Sequence, residues 1–77
     1  MARDPVPALE ALLSEKLDPR VVSNWITAYL GNRSDREKRL ALQALRMEFE
    51  SRRAAAPRAA GVVLRVVETL LAELKGA

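Results

Sequence analysis

Two apolar stripes on one helix set the first limit on this chain. Between Ser34 and Arg53, Leu42, Leu45 and Phe49 recur at i, i+3 and i+7. On the opposite side Leu40, Ala44 and Met47 recur at i, i+4 and i+7. A helix on the surface of a small domain needs one apolar stripe to reach its own core. A second stripe asks for a second partner, and 77 residues leave few internal candidates. The pattern therefore points to self-association or to a docking protein. A chain of this size buries only about 60% of the surface its unfolded form exposes, so oligomerisation is a common source of extra stability.

The helix boundaries follow from local chemistry. Pro7 suits the start of a first helix through about Lys16, with Leu9, Leu12, Leu13 and Leu17 as its apolar side and residues 1–6 as a flexible lead-in. Asp18-Pro19 opens a second helix that runs to Leu30, because Asp accepts from orphan backbone N–H groups and Pro at the first helical position gives up an N–H that has no partner. Gly31 fits a left-handed stop. Ser34 and Glu37 form a capping box that starts a third helix near Asp35, ending at about Arg53 or Ala55. Pro57 disfavours helical geometry at Ala56, so a break or a kink falls there.

A fourth helix follows from about Arg58 to Lys75, with Gly76 as its stop. Val62, Val66, Leu70 and Leu74 form one ridge along it, and Val63, Val67 and Leu71 form another. Their four-residue spacing is helical despite the strand propensity of valine. Gly61 either lets another helix approach closely or simply weakens the start. The expected fold is all-α: one domain over residues 1–77, a small bundle of three to four helices, the last two long and antiparallel, and the whole dimeric. The alternative at Pro57 is one long kinked helix whose halves pair between chains.

Composition narrows the function. Histidine and cysteine are both absent. That removes the usual zinc ligands, the commonest general base near neutral pH, and any Ser-His-Asp or Cys-His arrangement within the chain. No Glu-x-x-His or Glu-x-x-x-Glu spacing falls on an apolar face. No catalytic, cofactor or metal site is expected, and no small-molecule substrate is evident. No apolar run approaches a membrane span, and the N-terminus lacks the apolar region of a signal peptide, so a cytoplasmic location is expected. The fourth helix is amphipathic, but Arg65, Glu68, Glu73 and Lys75 balance its polar side, which favours protein contact over a membrane surface.

Charge is uneven. The net charge is +3, and residues 33–58 hold eight basic and four acidic side chains. Arg39, Arg46 and Arg53 repeat every seven residues and share a face with Arg36. Such a ridge could track phosphates, although Gln43 and Glu50 interrupt it and no aromatic residue interleaves with it. Asp35–Arg39 and Glu48–Arg52 are spaced for pairing along a solvated face. Residues 15–26, Glu-Lys-Leu-Asp-Pro-Arg-Val-Val-Ser-Asn-Trp-Ile, resemble the turn and recognition helix of repressor-type helix-turn-helix proteins. The resemblance implies that Arg20, Ser23, Asn24 and Thr27 face the major groove while Val22 and Trp25 pack inward. It covers about a dozen residues and lacks the Gly-plus-hydrophobe pair of the usual turn.

Two functions follow from these features. The first is a non-enzymatic regulatory or adaptor protein acting through helix-mediated contacts, its interface built on Leu40, Ala44, Met47 and Trp25, its partner a second copy or another helical protein. The alternative is a DNA-binding transcriptional regulator using residues 9–30, with Arg20, Asn24, Arg39, Arg46 and Arg53 as nucleic-acid contacts.

Overall fold

A computed structural model describes the backbone of residues 5–76 and the side chains of residues 5–74. Four helices follow one another: α1 (Pro5–Glu15), α2 (Pro19–Leu30), α3 (Asp35–Ser51) and α4 (Pro57–Gly76). The described residues contain no strand. The all-α expectation therefore stands, with four helices rather than three.

The helix starts form where the capping chemistry places them. The Asp18 carboxylate accepts the Arg20 N–H at 2.9 Å, and Pro19 occupies the first position of α2. At α3 the Glu37 N–H donates to the Ser34 hydroxyl oxygen at 3.2 Å, while the Ser34 N–H donates to the Glu37 carboxylate at 3.3 Å. Both bonds of the capping box are present, and Asp35 and Glu37 add negative charge to the positive end of the helix dipole.

Four boundaries differ from expectation. α1 begins at Pro5 rather than Pro7, and Val6 is buried in the core. Pro5 and Pro7 are both tolerated because the first turn of a helix has no intrahelical acceptor for its N–H groups. Residues 5 and 6 are thus structural rather than lead-in, and residues 1–4 of that predicted segment lie outside the described residues. α3 ends at Ser51, short of Arg53. The chain then tightens into a turn in which the Arg52 N–H donates to the Phe49 carbonyl at 3.2 Å and the Arg53 N–H to the Glu50 carbonyl at 3.3 Å. Pro57 opens α4 in place of Arg58, and α4 extends through Gly76. α3 and α4 are consequently two helices joined through residues 52–56, and the single kinked helix is ruled out.

One core holds all four helices. Val6, Leu9 and Leu13 of α1 meet Val22, Ile26 and Leu30 of α2, Leu42, Leu45 and Phe49 of α3, and Ala60, Val63, Leu64, Val66 and Val67 of α4. No charged or polar residue is buried among the described residues. The first stripe of α3 is therefore core. On α4 the buried side centres on Ala60, Val63, Leu64 and Val67, while Val62, Leu70 and Leu74 pack at its margin. Ala60 joins the core because its small side chain leaves room for a neighbouring helix.

The glycines give two opposite expectations. Gly31 adopts φ 58° and ψ −133°, a region that residues with a Cβ rarely enter, while its N–H donates to the Thr27 carbonyl at 3.1 Å. Gly31→Ala should therefore destabilise the fold by about 1–3 kcal/mol in thermal or denaturant melts. Its new Cβ would sit at an ordinary 3.8 Å from the Ala28 carbonyl oxygen, so backbone strain alone carries the effect. A Cβ at Gly61 would meet nothing within 4 Å, so no other helix approaches closely there. Gly61→Ala should raise stability by about 0.5–1 kcal/mol, because alanine stiffens the unfolded chain and suits the helix. A loss at Gly61, or no effect at Gly31, would contradict the backbone geometry at that position.

Candidate interaction surfaces

The second stripe of α3 remains uncovered. Leu40 is 59% exposed and Met47 74% exposed, and Ala44 between them is also exposed. They lie on the side of α3 opposite Leu42, Leu45 and Phe49, as 3.6 residues per turn requires. The same geometry sorts the charges beside the stripe. Glu37 and Glu48 border it on one side; Arg36, Gln43 and Glu50 border it on the other, and Arg39 and Arg46 lie farther round, toward the core stripe. All of these flanking residues are exposed.

Trp25 is half-buried rather than fully inside. It packs on the margin of the core and stacks on Tyr29, with ring centroids 5.5 Å apart and planes 10° from parallel. Arg33 extends the ladder, its guanidinium carbon 5.0 Å from the Tyr29 ring centroid, in cation–π range. Tyr29 and Ala44 then line the same small cleft, together with Pro5 and Val6. Through that cleft the exposed stripe of α3 adjoins the aromatic ladder of α2. Of the residues of the predicted protein interface, Leu40, Ala44 and Met47 share the exposed stripe of α3, and Trp25 lies on α2, reached from Ala44 through Tyr29.

The predicted nucleic-acid residues are dispersed. Arg20, Asn24 and Thr27 are exposed on the outer side of α2 and Val22 is buried, as the helix-turn-helix resemblance implies, while Ser23 is half-buried. Arg20, Ser23 and Asn24, however, form one wall of a groove whose other wall is α4, with Arg65 and Thr69 facing them. Arg39 and Arg46 lie on the flank of α3. Arg53 falls beyond the end of α3 and pairs with Glu50 at 3.6 Å, so the seven-residue arginine ridge loses its last member.

Arg52 has a role that the sequence did not disclose. It reaches Glu10 on α1 at 3.1 Å as well as Glu48 one turn back at 3.9 Å, tying the end of α3 to the first helix. Asp35 and Arg39, also spaced for pairing, form no ion pair. Beside Arg52 runs an apolar groove of about 550 Å³, lined by Leu13, Leu17, Phe49 and the small residues Ala55, Ala56 and Ala59. Leu17 lies past the end of α1 and is 44% exposed at its edge. The run of alanines cannot fill the space between the end of α1 and the start of α4, and the groove is the result.

Among the described residues no three carboxylates gather closely enough to hold a metal ion, and no helix is long and apolar enough to cross a membrane. No family model, no curated protein and no solved structure matches this chain.

Proposed function

We propose that this chain is a small non-enzymatic binding protein that acts as a homodimer, two copies joined through the outer face of α3. The supporting observation is the exposure of Leu40 and Met47 on a face whose other side is already fully used in the core. Leaving such residues in water forgoes roughly 25 cal/mol for each Å² of apolar surface that a partner would cover. Within each protomer, α3 and α4 form an antiparallel pair that presents this face rigidly.

The flanking charges favour a second copy as the occupant. A two-fold axis running along the helices sets each flank of one α3 against the opposite flank of the other. Arg36 of one protomer then faces the acidic side of the other, that of Glu37 and Glu48. A perpendicular axis would set like against like. The parallel arrangement is therefore preferred, with Trp25 and Tyr29 at the margin of the contact. Rim charges of this kind set register and partner choice more than affinity.

DNA binding draws support from the exposure of Arg20, Asn24 and Thr27 on α2. It is the weaker reading, because α4 stands beside that face and narrows its access to a major groove. Light scattering coupled to size exclusion tests the preferred reading directly. A species of twice the 8.5 kDa chain mass supports it. A monomer at every concentration, with duplex affinity that falls steeply with salt and depends on sequence, would transfer support to DNA.

A further inference from the structure

The groove between α2 and α4 brings together two arginines from different helices. It measures about 530 Å³ and is walled by Arg20, Ser23 and Asn24 from α2 and by Arg65, Val66 and Thr69 from α4, with no carboxylate among its lining residues. Neither Arg20 nor Arg65 forms an ion pair with any described residue. Asp18, the acid nearest to Arg20 in sequence, accepts the Arg20 backbone N–H on one carboxylate oxygen and forms no ion pair with its guanidinium. Two guanidinium groups from different helices thus share one groove without a counter-charge. Guanidinium forks match the oxygens of a phosphate bidentately, which an ammonium does not.

The remaining groups suit a ligand larger than a bare ion. The Thr69 hydroxyl donates to the Arg65 carbonyl at 3.0 Å, so its oxygen is left to accept from a ligand hydroxyl or amine. Ser23 and Asn24 offer donors and acceptors on the facing wall, and Val66 gives an apolar patch. The volume falls in the usual range for small-molecule sites, roughly 300–1,000 Å³. We propose that this groove binds a small molecule carrying a phosphate monoester, its phosphate held between Arg20 and Arg65 and its organic part against Val66 and Thr69. The site is separate from the exposed face of α3, so its success or failure is independent of dimer formation.

The test is an amide-resolved NMR titration of the full chain at constant ionic strength. The probes are inorganic phosphate, glycerol 3-phosphate and ribose 5-phosphate, followed by a short DNA duplex. Saturable shifts centred on Arg20, Ser23, Asn24, Arg65 and Thr69 are expected, with a phosphomonoester bound about tenfold more tightly than inorganic phosphate. Arg20→Gln and Arg65→Gln should each weaken binding by about tenfold or more, since each removes a charge-assisted contact. Both side chains are exposed, so circular dichroism should show both variants folded. Equal affinity for inorganic phosphate would overturn the organic part of the site and leave a bare anion site. No saturable shift, shifts spread over all arginines, or unchanged affinity in both variants would overturn the whole proposal. So would a duplex that binds more tightly than the small anions and shifts Arg39 and Arg46 together with Arg20.

Discussion

Phe49→Ala should lose about 3–5 kcal/mol of folding stability, the largest effect expected of any single core truncation in this chain. Phe49 is 2% exposed and is the largest of the buried side chains, placed where α3 meets the other helices of the core. At roughly 0.05–0.15 kcal/mol per residue, a chain of 77 residues has about 4–12 kcal/mol in total. The substitution therefore removes between a quarter and all of it. In a domain this small each kcal/mol shifts Tm by about 4–8 °C, so a fall of more than about 12 °C is expected where a melt is still visible. Phe49 also lines the apolar groove near Arg52, and partial collapse of that groove would bring the loss toward the lower end. A loss below about 1 kcal/mol would mean that the ring does not occupy the core as described. Melts of both chains at one fixed protein concentration hold any contribution from association equal between them.

The parts of this fold legible in the sequence are those fixed by residues close together along the chain. Asp18-Pro19 and Ser34 with Glu37 name their helix starts because the donors and acceptors lie within three residues of one another. The alternation of Leu42, Leu45 and Phe49 with Leu40, Ala44 and Met47 is a property of one helix and needs no neighbour to be seen. The missed features depend on distant segments. Val6 belongs to α1 because the core accepts it, although two prolines surround it. The end of α3 carries no glycine; Arg52 caps it in right-handed geometry, so no left-handed stop signal exists to be read. The alanines that follow have high helix propensity and conceal the break. For the candidate sites the same division holds. The exposed stripe was visible from periodicity, whereas the α2–α4 groove was not, because Arg20 and Arg65 come together only when the bundle closes.

Met47→Asp should convert the proposed dimer to a monomer and leave the helical content nearly unchanged. The two consequences separate because Met47 is 74% exposed within one chain. Its loss takes nothing from the core of the protomer, and exposed substitutions usually change stability by no more than about 0.5 kcal/mol. Within the dimer the balance differs. Full burial of a methionine side chain contributes about 1.5–3 kcal/mol, and a symmetric interface contains the residue twice. The variant thus loses about 3–6 kcal/mol of association energy, two to four orders of magnitude in the dimer dissociation constant. It also adds a carboxylate from each copy to a face already bordered by Glu37 and Glu48, so like charges approach in the interface. Light scattering should report the mass falling from twice 8.5 kDa to that of a single chain. Leu40→Asp should behave the same way, since Leu40 lies on the same stripe two turns earlier. Thr27→Asp, exposed on α2 away from that stripe, should leave the mass at that of the dimer. Thermal melts supply a second readout. Mass action makes the Tm of a dimer rise with protein concentration, and that rise should vanish in both stripe variants. An unchanged mass in Met47→Asp and Leu40→Asp alike would remove α3 from the interface, whatever the oligomeric state of the parent chain.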